Sequence, residues 1–284
     1  MVQQTQPFFQ VDAFTDRAFS GNPAAVMVLG VEASADWMQS VATEMNLSET
    51  AFVVPRQGGP WGLRWFTPAV EVPLCGHATL AAAHVIFDGD GERSELRFDT
   101  HSGVLSVRRV ADGYAMDFPA LRPEPWPLPE ATRAALGEAG LDRTVAVEAS
   151  FHHETDWYAL IELADAESVR RVEPDFRALG VEPGGGWIVT ARADAKAKRD
   201  FGDDVEVVSR FFAPALGVDE DPVTGSAHCV LAPFWTRRLV QDAVVAAQIS
   251  PRGGVVRCRV DGDRVELRGQ AVTVARGELL VGRR

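Results

Sequence analysis

Lysine is almost missing from this 284-residue chain: Lys196 and Lys198 stand alone, and arginine supplies the rest of the 28 basic residues. Against 40 acidic residues the formal charge is −12, which excludes the basic footprint that sequence-independent nucleic-acid binding needs. An anionic substrate remains open, because local donors can outvote a global field. Cysteine is sparse and odd in number, at Cys75, Cys229 and Cys258. That excludes a disulfide framework and points to a reducing cytoplasm. No apolar run reaches the roughly 18 residues of a membrane span. The start, Met1-Val2-Gln3-Gln4, lacks the basic and apolar regions of a secretory leader. The expectation is a soluble cytoplasmic protein with no membrane or nucleic-acid partner. Metal and nucleotide spacings are missing as well. His152 and His153 are adjacent, so they diverge in a strand, and no ligand spacing follows. Gly184-Gly185-Gly186 lacks the context of a phosphate loop, and Ser226 lies outside any nucleophile elbow. No metal, nucleotide or flavin is expected.

What the chain does contain is one piece written twice. Arg64-Trp65-Phe66-Thr67-Pro68 returns as Arg210-Phe211-Phe212-Ala213-Pro214, with Pro68 and Pro214 offset by 146 residues. Cys75-Gly76-His77 returns as Thr224-Gly225-Ser226 at an offset of 149, and Gly103 meets Gly254 at 151. The slowly growing offset implies two similar domains with small insertions in the second copy. At 46% hydrophobic and 24% charged residues, each half has an ordinary globular composition. We expect domains over 1–120 and 130–271, joined by a Pro-rich linker at 121–129, with the strand near 272–284 a candidate to join the first. A cleft between two such copies is where small-molecule sites tend to lie.

Each half shows many short strand-like runs and one apolar helix. Ala35 to Met45 has helical spacing at Trp37, Val41 and Met45, and reads as a surface helix. Gly76 to Phe87 is rich in Ala, Leu and His without an interior Gly or Pro, so it reads as a helix buried all round. A second such helix starts near Gly225 and reaches about Leu239, although Pro233 must kink or end it. Strands alternating with amphipathic helices, the sign of a parallel βαβ fold, are not apparent. The fold class expected is α+β: two similar domains, each a mostly antiparallel barrel around a central helix.

The chemistry concentrates at the two helix starts. Cys75-Gly76-His77 and Thr224-Gly225-Ser226 each put glycine in a first turn, where free N–H groups and a partial positive charge suit a carboxylate. The competing reading makes Thr224 and Ser226 simple helix caps. Asp221 stands where the first copy has Val72, which suggests a specific polar task. The competing reading there is a loop aspartate bonding its own backbone. The helix dipole disfavours charge on His77, so a neutral imidazole is expected. Glu49 sits at a loop-to-strand junction among apolar neighbours, where burial suits acid–base work.

Phe19-Ser20-Gly21-Asn22-Pro23, Asn46-Leu47-Ser48-Glu49-Thr50, Cys75-Gly76-His77-Ala78-Thr79-Leu80, Asp221-Pro222-Val223-Thr224-Gly225-Ser226-Ala227 and Gln248-Ile249-Ser250-Pro251-Arg252-Gly253-Gly254 occur in order along the chain. Together, from about residue 8 to 280, they resemble the phenazine-biosynthesis PhzF-like isomerase family. The resemblance implies a diaminopimelate epimerase-like fold of two barrels, each around a central helix. It implies a cofactor-independent isomerase that shifts a proton on a small carboxylate-bearing substrate in the interdomain cleft. The founding member isomerises a cyclohexadiene carboxylic acid. Carried over residue by residue, the catalytic set is Glu49, His77, Asp221 and Ser226, with Glu49 the acid–base carboxylate. Gly76, Gly225, Thr224, Cys75 and Asn22 fall in the substrate-binding set, and a homodimer is expected. Related epimerases use two thiols; Cys75 occupies the first position but Thr224 fills the second, and a hydroxyl, with a pKa far above a thiol's, cannot replace it as a base without strong activation. The alternatives are a one-thiol epimerase or racemase using Cys75, and a non-catalytic protein that binds small acids.

Overall fold

The computed structural model describes residues 4–125, 127–137, 145–150, 157–182 and 185–281; His152, His153 and Gly184 lie outside them. The chain divides into two units, Met1–Asp117 with Arg268–Arg284, and Phe118–Leu267. The first unit runs through β1 (Gln4–Ala13), β2 (Asn22–Val28), α1 (Ala35–Met45), β3 (Glu49–Val54), β4 (Trp61–Phe66) and the short β5 (Glu71–Val72). It continues with α2 (Gly76–Gly89), β6 (Glu95–Thr100), β7 (Gly103–Val110) and β8 (Gly113–Pro119). The second unit opens with β9 (Glu124–Pro125), α3 (Glu130–Ala135), β10 (Val145–Ser150), β11 (Trp157–Glu162), α4 (Ala166–Arg171) and α5 (Phe176–Leu179). Then come β12 (Gly186–Arg192), α6 (Ala195–Phe201), β13 (Val207–Phe212), α7 (Gly225–Leu239), β14 (Ala243–Gln248), β15 (Gly254–Asp261) and β16 (Arg264–Gly269). The chain returns to the first unit with β17 (Ala271–Val281), which pairs antiparallel along β1 from Gln4↔Val281 to Ala13↔Ala271.

The two units repeat one pairing scheme. In the first, β1–β2 is antiparallel, β2–β3 parallel, β3–β4 antiparallel, β4–β6 parallel and β6–β7 antiparallel. In the second, β10–β11, β11–β12, β12–β13, β13–β14 and β14–β15 follow in the same order of senses. The mostly antiparallel α+β architecture expected from the sequence is present. Among the described residues each unit also has two parallel pairs. A parallel pair needs a crossover rather than a tight turn, and helical segments fill these crossovers: α1, α2, α4 with α5, and α7. The short mixed segments before β3 and β12 hid that alternation.

Duplication extends to side chains. Arg64 clamps Glu71 with two hydrogen bonds of 2.7 Å and lies 5.2 Å over the Phe66 ring. Arg210 clamps Glu220 at 2.7 and 2.9 Å and lies 4.9 Å over Phe212. Each guanidinium thereby ties the end of a strand to the loop that precedes the buried helix, in the planar geometry that favours arginine over lysine.

The two faces of the first sheet are sorted by the period-2 rule. Met27, Phe52 and Phe66 pack with Met38, Val41 and Ala42 of α1. Glu49, Ala51 and Val53 therefore turn to the opposite face, the side of α2, which packs against β1, β2, β3 and β17. In α2 only His84, Asp88 and Gly89 escape burial. Its alanines leave room for strands to close on it. The helix α7 is also buried, and Pro233 does not end it. Proline has no N–H to give to the carbonyl four residues back, so Cys229 O is released. The backbone N–H of Leu121 takes it at 2.9 Å.

Candidate active site

Glu49 reaches its position through the end of α1. Asn46 closes that helix in the left-handed region (φ 48°, ψ 40°), with its N–H on Ala42 O at 3.1 Å. Asparagine tolerates that conformation better than most residues. Three residues later the chain is extended, and Glu49 begins β3 on the α2 side. Asn22 opens β2 after Gly21, whose φ is +66° and whose added Cβ would lie 2.3 Å from Ala13 O. Glycine alone allows that turn. The Asn22 amide Nδ2 then stands 3.1 Å from His77 Nδ1.

His77 is the hub. Its Nε2 is 3.0 Å from Glu49 Oε2, and its Nδ1 is 3.5 Å from Cys75 Sγ. The imidazole side chain is 5% exposed and the carboxylate 16%. The close pair is not aligned as a hydrogen bond, so both His77 Nε2 and Glu49 Oε2 are buried without a hydrogen-bond partner. A buried polar atom left unsatisfied costs about 1–3 kcal/mol, and such atoms mark where a ligand group would be received. Burial disfavours the imidazolium, but the interactions with Cys75 and Glu49 outweigh it and hold the pKa well above the usual value. The Cys75 thiol is itself pushed up, first by burial and then by the Glu49 charge. At neutral pH the thiol keeps its proton. The raised pKa runs against the neutral imidazole expected from the helix dipole: that argument left out Cys75 and a carboxylate 3.0 Å away.

Donor atoms of Glu49, Cys75 and His77 all lie within 4.8 Å of one another, a set of the kind zinc accepts. They address opposite edges of the ring, Nε2 toward the carboxylate and Nδ1 toward the thiol. One ion could engage only one edge, so the arrangement fits a proton path better than a metal cage.

In the second unit, Asp221, Thr224, Gly225 and Ser226 fall together at the start of α7. Neither Cys75 nor Thr224 caps its helix with a side chain, so the capping alternative fails for Thr224. Its hydroxyl instead bonds the Asp221 carboxylate. The first-turn N–H groups of α2 and α7 carry no side-chain cap and no acidic neighbour in that turn, the condition for receiving an anion. Ser226 Oγ is 3.1 Å from Tyr158 OH.

The sequence reading missed three residues here. Gln248 is fully buried and bonds the Asp221–Thr224 loop. Tyr158, one of two tyrosines in the chain, meets Ser226 from β11. His228, fully buried, donates from Nδ1 to Thr224 O at 2.7 Å, and burial lowers its pKa to about 4. In the first copy the equivalent Thr79 makes the same back-bond to Cys75 O, at 2.5 Å. Spacing in the repeat could have flagged His228; nothing local could have flagged the other two. A surface hollow of about 620 Å³ beside Pro55, Trp61 and Arg93 contains none of these residues. Arg56 and Arg93 on its wall are paired with Asp99 and Asp90.

Residues 11–277 match the model of the PhzC-PhzF family, described as phenazine biosynthesis-like protein. An uncharacterised isomerase of Pseudomonas aeruginosa is 49% identical over 96% of this chain and 97% of its own length. One of Halalkalibacterium halodurans is 42% identical over 98% and 99%. A solved PhzF-family structure from Enterococcus faecalis superposes with a TM-score of 0.86 at 42% identity, covering 98% of this chain and 100% of the other.

Proposed function

The chain belongs to the phenazine biosynthesis-like PhzC-PhzF family and is an isomerase, and we propose that it shifts a proton between carbons of a small carboxylate-bearing substrate, with Glu49 as the base and no cofactor. The observation that carries this reading is the Glu49–His77 pair: a carboxylate oxygen and an imidazole nitrogen 3.0 Å apart, buried, and each without a hydrogen-bond partner. In the proposed reaction a Glu49 oxygen takes the proton from a ring carbon beside the substrate's conjugated system. The C–H electron pair passes into that system as an enolate-like anion. The same oxygen returns the proton to another carbon on the same face, so the carboxylate ends as it began. The His77 imidazolium and the first-turn N–H groups of α2 offset the negative charge that develops. Asn22 holds the other edge of the ring, and Gly76 leaves the backbone open to the substrate. Asp221, Ser226, Thr224 and Gly225 are the proposed polar contacts from the second unit.

The one-thiol alternative is weaker. Cys75 lies against His77, but burial raises its pKa, and a protonated thiol is a poor base.

Cyclohexa-2,5-diene-1-carboxylate in D₂O, followed by proton NMR, tests the proposal; deuterium at a ring carbon reports the shift. Glu49→Gln should lower the exchange rate at least about 100-fold and leave benzoate affinity within a few-fold. Unchanged exchange in Glu49→Gln removes Glu49 from the mechanism. Loss in Cys75→Ser but not in Glu49→Gln would transfer the role to the thiol. Tight binding of cyclic acids without exchange in any of them would favour the binding-protein alternative.

A further inference from the structure

The hydrogen-bond directions around Thr224 can be assigned without ambiguity, and they lead to a residue with no role so far. Gln248 ends β14 and is fully buried. Thr224 N–H faces its side chain at 2.9 Å and can only donate, so the facing atom is Oε1. Nε2 is then on the other side, where it donates to Asp221 O at 2.7 Å and to Thr224 Oγ1 at 3.1 Å. The threonine oxygen receives that proton, so its own single proton goes elsewhere. It goes to Asp221 Oδ2, which only accepts when ionised. One amide thus fixes the backbone of the loop at both ends and sets the direction of the hydroxyl that holds the carboxylate. Ser250 adds a bond to Pro222 O at 2.7 Å and receives Gly253 N–H at 3.0 Å. The loop is pinned from the strand side, and the Thr224 hydroxyl holds its carboxylate.

From this geometry we infer that Gln248 is a positioning residue: through Thr224 it sets the Asp221 carboxylate to accept an N–H or O–H donor of the substrate. The inference rests on the reading that Asp221 touches substrate, and the test separates the two. Two flat acids serve as probes: 2-aminobenzoate, which carries an N–H donor beside its carboxylate, and benzoate, which lacks it. Their dissociation constants are measured by calorimetry for the full chain and for Asp221→Ala, Gln248→Leu, Thr224→Val, Thr224→Ser and the double variant Gln248→Leu/Thr224→Val. Wild type should prefer 2-aminobenzoate by about tenfold, the worth of one hydrogen bond to a charged group. Asp221→Ala removes that preference. Gln248→Leu should also remove it, to within about twofold, with benzoate affinity nearly unchanged, and Thr224→Val should remove it whatever its effect on benzoate. The double variant should lose no more than either single one, and Thr224→Ser should keep the preference.

A merely structural Gln248 would weaken both acids alike, and that result overturns the inference. So does a retained preference in folded Gln248→Leu and Thr224→Val when Asp221→Ala has lost it. If Gln248→Leu fails to fold, Thr224→Val alone decides. If wild type shows no preference, or Asp221→Ala keeps it, Asp221 is not the contact, and this inference falls with that reading.

Discussion

Replacing His77 by glutamine should change how stability depends on pH, and a single proton sets the size of the change. In the folded protein His77 is 4% exposed, and its pKa stands well above 6.5 because its interactions with Cys75 and Glu49 outweigh burial. Unfolded, it returns to about 6.5. Between those two values the folded state holds one proton more than the unfolded state. Stability therefore falls as pH rises, by about 1.4 kcal/mol per pH unit from this group. The contribution is complete below about pH 6.5 and is lost as pH climbs through the folded value. Urea unfolding followed by tryptophan fluorescence, in steps from about pH 5.5 to about 9, gives the curve for both proteins. The wild-type stability minus that of His77→Gln should decline steadily above pH 6.5. Glu49→Gln supplies the control: without the carboxylate, burial meets less opposition and the decline should shrink. A flat difference between about pH 6.5 and 8.5 refutes the reasoning, because His77 would then be neutral when folded.

Three shorter predictions accompany it. His228 has the opposite sign: its pKa is lowered to about 4 by burial, so its contribution is present above about pH 6.5 and lost as pH falls toward 4. That limb amounts to about 3 kcal/mol, and His228→Gln should flatten it in acid titrations followed by circular dichroism. Val240 closes α7 at φ 56° and is 92% exposed; a β-branched residue there costs about 1–2 kcal/mol and buries almost nothing. Val240→Gly should therefore stabilise by about 0.5–1 kcal/mol in urea titration. Val181→Gly, exposed but without the positive φ, should do the reverse. Glu49→Gln should slow deuterium exchange in the dienoic acid assay by at least about 100-fold.

Much of the fold was legible because the duplication is written in strongly typed residues. Arg64 and Arg210, 146 residues apart, end equivalent strands and hold equivalent glutamates. The buried helices were legible from runs without polar spacing. The parallel pairs were not, since pairing sense depends on where a crossover lands rather than on strand composition. The continuation of α7 through Pro233 was not legible either, because the substitute donor is the N–H of Leu121, more than a hundred residues earlier. At the site, Glu49 and His77 were singled out one by one, but their closeness was not legible: they lie 28 positions apart in sequence and 3.0 Å apart in space. Gln248 was visible only as a letter in a motif; its function depends on which of its two amide atoms meets Thr224 N–H.

The pairing of β17 with β1 has a consequence for how the protein is made. β1 leaves the ribosome well before β17, its neighbour along ten residues, has been synthesised. Phe118–Leu267 is one continuous stretch and can assemble while translation proceeds. The lobe that carries Glu49 and His77 must wait with an open edge until β17 arrives. Nascent chains stalled before Ala271 should therefore protect the later lobe from protease sooner than the earlier one, and premature termination there should leave a sticky, unfinished barrel.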